Sequence, residues 1–292
     1  LKSGFIGIIG RPNVGKSTLL NAVLGEKVAI TTEKPQTTRN TIRGIYTDKD
    51  AQLVFIDTPG IHRPRTKLGN YMTESALRTL EEVDVVLFIV DDSKPLGPGD
   101  QYILDTLTKI KTPVYLLINK IDIIPPDQYQ NLHMEYEKAG IFKEIIGISA
   151  LNNTNVGLLL DKLKAAMEEG PMYFPEDMVT DHPERFLVGE IIREKLLRYL
   201  QDEIPHGIAV EIESYEEKET ITNIGAVIYC EKKSHKGIII GKDGRKLKGV
   251  GKSAREEIES LLGTKVFLQL WVKVKENWRD SETALSGFGY KE

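Results

Sequence analysis

One cysteine, Cys230, serves all 292 residues. No internal disulfide can form, so nothing in the chain argues for an oxidising compartment. Cys230 ends the apolar stretch Ala226-Val227-Ile228-Tyr229-Cys230 and is expected to pack rather than react. Long hydrophobic runs are missing as well. The longest strongly apolar one, Val83 to Val90, is interrupted by Asp84 and is far too short to span a bilayer. No secretory pattern opens the chain, which begins on Leu1 rather than Met, so a trimmed start and a cytoplasmic location are the expectations. There is no internal repeat and no low-complexity segment. Strong net charge is absent too: 39 Lys and Arg against 43 Asp and Glu leave −4.

The small net charge conceals segregation. Between Glu231 and Arg255 stand nine basic residues and two acids, whereas Asp202 to Glu219 holds seven acids and one lysine. A polyanion responds to the local patch rather than to the total. With 40% hydrophobic and 28% charged residues, the chain has the composition of a globular protein and the length for about two domains.

The first part alternates buried strands with helices. Val54–Ile56, Val85–Val90, Val114–Ile118 and Ile145–Ile148 are continuous apolar runs, as expected of a parallel sheet covered on both faces. Helical patterns cover Gly69–Leu80, Gln101–Leu107 and Gln128–Ala139. The fold class is therefore α/β, a doubly wound domain over residues 1–172, with its ligand at the carboxyl ends of the strands. The proline-rich stretch 173–183 is expected to be a linker. Residues 184–280 then show helix, two strands, helix–turn–helix and strand, a smaller α+β domain, followed by a tail, 281–292. Gly287-Phe288-Gly289-Tyr290 in that tail suits either base stacking or packing on the domain.

Gly10-Arg11-Pro12-Asn13-Val14-Gly15-Lys16-Ser17 follows the apolar run Phe5–Ile9 and precedes a helical Thr18–Leu24. This is the phosphate loop G-x-x-x-x-G-K-[ST] in its proper context. Glycines let main-chain amides turn onto phosphate oxygens, and the helix N-terminus adds positive charge. Asn13, Val14, Gly15, Lys16, Ser17 and Thr18 are the expected phosphate-binding residues, with Lys16 at the β/γ-phosphates and Ser17 on Mg²⁺. Asp57-Thr58-Pro59-Gly60 follows a buried strand, which suits Asp57 to Mg²⁺ and the Gly60 amide to a γ-phosphate. Asn119-Lys120-Ile121-Asp122 follows another, where the Asp122 carboxylate can accept from the N1–H and exocyclic amine of guanine, a donor pair adenine lacks. Ser149-Ala150-Leu151 ends the last strand, where a main-chain amide can meet the guanine carbonyl.

These four segments in this order resemble the translation-factor-type GTPases. The resemblance implies GTP and GDP as ligands, hydrolysis to GDP and phosphate, and a first switch loop between Thr31 and Thr41. It also implies a Mg²⁺-ligating threonine there, at Thr38 or, second, Thr37. Ile61 stands where Ras-like enzymes carry a water-orienting glutamine, so slow intrinsic hydrolysis is expected. An asparagine at the position of Asn13 helps related GTPases hold K⁺, which implies K⁺ stimulation. His62 is adjacent and is read as an ordinary switch residue.

Gly241-Lys242-Asp243-Gly244, preceded by Ile238-Ile239-Ile240, lies inside the basic cluster. With the surrounding order of elements, it resembles the KH domain in its prokaryotic arrangement. That family clamps single-stranded RNA at the GxxG loop. The implied RNA-binding residues are Lys236, Ile238, Ile240, Gly241, Lys242, Asp243, Gly244, Arg245, Lys246 and Lys248. A GTPase joined to such a domain resembles the bacterial ribosome-assembly GTPases. This implies a partner in 16S ribosomal RNA near its 3′ end, a role in 30S subunit assembly, and a monomer. The alternative is a signalling GTPase whose basic patch makes a peripheral contact with anionic lipid of the inner membrane face.

Overall fold

The computed structural model describes residues 1–93 and 96–290. The chain divides into two units. The first is Leu1–Thr31, Thr38–Arg65 and Gly69–Asp181; the second is Thr32–Thr37, Thr66–Leu68 and the chain from His182 onward.

The first unit follows the order β1 (Lys2–Gly10), α1 (Lys16–Leu24), β2 (Ile42–Thr47), β3 (Ala51–Asp57), α2 (Lys67–Glu82), β4 (Val85–Val90), α3 (Pro98–Leu107), β5 (Val114–Ile118), α4 (Pro126–Glu137), β6 (Phe142–Gly147) and α5 (Val156–Ala166). Its six-stranded sheet has the order β2-β3-β1-β4-β5-β6. All neighbours are parallel except β2, which runs antiparallel to β3. β3, β4 and β5 are buried along their whole length because helices cover both faces, as their unbroken apolar sequence implies. Ile9, Phe88, Leu116, Ile118 and Tyr136 belong to the core on one of these faces.

β2 escapes a reading based on apolar runs because Arg43 is exposed and Gly44 interrupts it. Gly44 has a packing reason: a Cβ there would lie 2.6 Å from Leu20 Cδ1. The stretch 173–181 belongs to this first unit. It lies along β2 and β3, where the Ile45 amide donates to Val179 O at 2.7 Å and Thr180 Oγ1 to Arg43 O at 2.7 Å. The Gln52 amide group donates to Phe174 O and accepts from the Tyr173 and Phe174 amides.

The second unit contains α6 (Glu184–Tyr199), β7 (Ala209–Glu217), β8 (Ile221–Cys230), α7 (Lys233–Ile240), α8 (Arg245–Leu262), β9 (Lys265–Val274) and α9 (Glu282–Gly287). The sheet order is β7-β8-β9, with the first pair antiparallel and the second parallel. Val188, Ile192, Leu196, Ile228, Ile239, Ala254 and Ile258 form its buried interior. α8 begins at Arg245, two turns before the helix that the apolar pattern marks from Ser253, so Arg245, Lys246 and Lys248 lie on its first turn. Within this unit the buried Arg193 pairs with Glu190 and donates to the carbonyl oxygens of Gln36 and Thr37. Residues after β9 pack on the unit. Trp278 Nε1 donates to Gly207 O at 2.8 Å, and the indole meets Phe288 edge-on and Tyr290 face-on.

Candidate nucleotide and RNA sites

α1 starts without a side-chain cap, on Gly15 at φ 106°. Its first-turn amides therefore face the loop 10–15, an arrangement that suits an anion. Two glycines fix the loop by what they leave out. A Cβ on Gly10 would lie 2.5 Å from Ile89 O, and one on Gly15 would lie 2.1 Å from Asn119 Nδ2. Val14 is fully buried and anchors the loop, whereas Asn13 is exposed in a left-handed conformation at φ 66°.

Lys16 is buried and donates from Nζ to Gly10 O at 3.2 Å and Arg11 O at 2.7 Å. Burial pulls its ammonium down to about 8, only partly opposed by the Asp57 carboxylate. The loop carbonyls thus take up two of the three ammonium hydrogens. Ser17 Oγ donates to Asp57 Oδ2 at 2.6 Å and lies 2.9 Å from Thr38 Oγ1. Burial pushes the Asp57 carboxyl up to about 6, against the pull of Lys16 and Ser17. Its other oxygen, Oδ1, is buried without a hydrogen-bond partner. Two hydroxyls beside a carboxylate with one unsatisfied oxygen fit Mg²⁺, which favours oxygen ligands. Of the two candidate threonines, Thr38 is the one beside Ser17; the Thr37 hydroxyl donates to Lys34 O and lies 2.7 Å from Thr32 Oγ1.

The Asp57–Gly60 turn is pressed onto the phosphate loop. Thr58 Oγ1 donates to Ile8 O at 2.7 Å, and the Ile61 amide to Gly10 O at 3.0 Å. A Cβ on Gly60 would lie 2.8 Å from Pro12 N, so only glycine brings this amide so close. Ile61 is 1% exposed and part of the core, unable to reach a water. His62 Nδ1 lies 2.9 Å from Gly60 O, a local turn contact.

On the base side, Asn119 is a tie between loops. Its Nδ2 donates to Val14 O at 2.8 Å, and its Oδ1 accepts from the Ala150 amide at 3.0 Å. Lys120, at φ 66°, donates from Nζ to Asn13 O at 3.0 Å and to Asp91 Oδ2 at 2.7 Å. Asp122 is exposed, Ser149 and Ala150 are buried, and Leu151 is 78% exposed. Ser149 and Thr154 exchange two main-chain hydrogen bonds that hold this last loop closed. The expected phosphate, Mg²⁺ and guanine residues of the first unit thus converge along the carboxyl ends of β1, β3, β5 and β6. Asp91, at the end of β4, was missed by sequence reasoning; its only signal was a carboxylate directly after a buried strand.

In the second unit Gly241 and Gly244 have φ of 73° and 72°, and Asp243 between them 54°. A Cβ on Gly241 would lie 2.7 Å from Lys246 Cβ, whereas one on Gly244 would meet only Lys248 Cε, at 4.0 Å. The loop connects α7 to α8, with Lys242, Asp243, Arg245 and Lys248 exposed and Lys236 and Lys246 half-buried. Ile238 is 44% exposed, Ile240 half-buried and Ile239 fully buried, so alternate isoleucines face outward and inward.

Residues 5–120 match the family described as 50S ribosome-binding GTPase, and residues 203–279 match the KH domain. The chain is 61% identical over 291 residues to GTPase Era of Alkaliphilus oremlandii, covering 99% of each. It belongs to the Era family of GTPases. Era of Clostridioides difficile is 56% identical, over 100% of this chain and 99% of that one. Two solved Era structures each superpose over 100% of both chains with a TM-score of 0.96 at 41% identity. One is Era in complex with MgGDPNP and nucleotides 1506–1542 of 16S ribosomal RNA; the other is an Aquifex aeolicus Era variant bound to GDP and AlF4−. The chain is thus an Era-family GTPase with a P-loop domain and a KH domain.

Proposed function

We propose that this Era-family GTPase is a GTP-dependent switch that binds the 3′ region of 16S ribosomal RNA through its GxxG loop and assists assembly of the 30S subunit. The observation that carries this reading is the full-length likeness to the Era–MgGDPNP–16S RNA complex, which spans both units. The 50S in the family description belongs to a match over residues 5–120 alone, and so weighs less on the choice of subunit. The open GxxG loop and its exposed lysines give RNA phosphates a close approach and attraction.

GTP would lie with its phosphates on Asn13–Thr18 and Gly60 and its guanine at Asn119, Lys120, Asp122 and the Ser149–Leu151 loop. Ser17 and Asp57, with Thr38 when a γ-phosphate is present, would hold Mg²⁺, which neutralises charge on the phosphates. Water attacks the γ-phosphorus, the bond to the β–γ bridging oxygen breaks, and GDP and phosphate leave. Ile61 contributes nothing to orienting that water, which leaves main-chain groups of the switch loops for that role; a K⁺ held near Asn13 would stabilise charge on the transferring phosphate, as an arginine finger does.

The test is crosslinking of the intact protein to total RNA, with GDP and with a non-hydrolysable GTP analogue, followed by sequencing. Recovery of 16S 3′-terminal sequence, enriched with the analogue, is expected. Equal RNA affinity in both nucleotide states would defeat the switch, and preferential capture by anionic vesicles would replace RNA with lipid.

A further inference from the structure

Asp91 is buried at the carboxyl end of β4, between the base-side and phosphate-side loops. Its two oxygens serve different partners. Oδ2 accepts from Lys120 Nζ at 2.7 Å. Oδ1 accepts from the Ser93 amide at 3.0 Å and from the Ser93 hydroxyl, and pairs with Arg11 Nη2 at 3.5 Å. Arg11 is in turn held by Asp100, through Nε to Oδ1 at 2.7 Å, and passes over Gly99, where a Cβ would lie 2.8 Å from Arg11 Cδ. Tyr136 donates to the other oxygen of Asp100 at 3.2 Å. All of these Asp91 partners are donors, so the site calls for an acceptor on both oxygens and excludes an amide. Burial alone would raise the Asp91 carboxyl, yet the hydrogen bonds from Lys120 and Ser93 hold it below the ordinary carboxylate value.

Lys120 spends its remaining reach on Asn13 O at 3.0 Å, which joins the base-reading loop to the phosphate loop. Without a fixed counter-charge, a lysine ammonium has many rotamers and would rarely hold this bridge. We infer that Asp91 is a positioning residue for nucleotide binding: it fixes the Lys120 ammonium, and through it the spacing between the guanine side and the phosphate side of the site. The inference rests on the guanine site proposed above. It concerns the whole nucleotide rather than the γ-phosphate, because neither Asp91 nor Lys120 belongs to a switch segment.

The test is a double-mutant cycle in the full-length protein, with Asp91→Asn, Lys120→Met and the pair, read by dissociation rates of fluorescent GDP and GTP analogues. Asp91→Asn is expected to speed dissociation of both nucleotides by the same factor, about tenfold or more for one lost charge-assisted hydrogen bond. The double variant should dissociate no faster than Lys120→Met alone. In Asp91→Asn, KM for GTP should rise by a larger factor than kcat falls. Additive effects, or an unchanged rate in Asp91→Asn, overturn the inference. An unchanged rate in Lys120→Met instead removes the guanine-site reading beneath it, which separates the two failures. If Asp91→Asn does not fold, Ser93→Ala takes one donor from the same carboxylate and spares both charges. A few-fold faster GDP release is then expected, and no change overturns the inference.

Discussion

Replacing Asn119 with alanine tests whether this residue serves the ligand or the protein. Its side chain closes two hydrogen bonds, to Val14 O at 2.8 Å and from the Ala150 amide at 3.0 Å, both in a buried setting. Alanine leaves an acceptor and a donor unsatisfied, and each orphaned buried group costs about 1–2 kcal/mol. The sum is about 2–4 kcal/mol before any nucleotide is considered. For a unit of this size, 1 kcal/mol moves the melting temperature by about 3 °C, so the nucleotide-free protein should lose roughly 6–12 °C. The Ala150 amide should also exchange with solvent faster, since its acceptor is gone. Circular dichroism melting and hydrogen exchange, both in the absence of nucleotide, read these two effects. GDP binding should weaken as well, because the phosphate loop and the Ser149–Leu151 loop no longer share a fixed spacer. An unchanged melting temperature together with weaker GDP binding would refute the argument, since Asn119 would then act on the base alone.

Lys16 supplies a pH signature: with its ammonium near 8 in the free protein and raised again by bound phosphates, GDP affinity should be flat near pH 7, above the Asp57 carboxyl at about 6. Above about pH 8 it should fall by up to about tenfold per unit, with proton uptake visible by calorimetry in buffers of different ionisation heat. Hydrolysis should run faster in KCl than in NaCl, and Asn13→Ala should erase the difference; identical rates in the two salts would remove K⁺ from the account. Gly244→Asp meets only the flexible end of Lys248, 4.0 Å from its Cβ, at φ 72°, so the backbone strain costs about 1–2 kcal/mol and GTPase activity survives. RNA affinity should drop at least about tenfold as a carboxylate enters the phosphate path, measured by filter binding at fixed salt.

The sequence was most legible where burial is complete. Val85–Val90 and Val114–Ile118 are apolar on both faces because helices cover both faces, and their shortness favours a strand over a buried helix. The nucleotide motifs were legible because phosphate chemistry demands glycine and lysine at fixed spacing. β2 was not, because an edge strand with exposed Arg43 carries no apolar signal. The first two turns of α8 were hidden by Gly249, Gly251 and a run of lysines, although the helix buries Val250. Asn119 was legible as a site residue, but its ties to Val14 and Ala150 were not, since both partners are main-chain atoms. Asp91 was missed for a related reason: its role is defined by Lys120 and Arg11, distant in sequence and adjacent only across the strand ends.

The stretch 173–181 has a consequence for the order in which the chain is made. The outer edge of β2 is taken up by Val179 and Thr180, which emerge only after every strand of the first sheet. Until then β2 presents free edge groups, the feature through which incomplete sheets pair with other chains. A fragment ending after α5, or a ribosome stalled there, would therefore carry all of the nucleotide motifs and still expose an open edge. The last residues of the first unit close it against its neighbours.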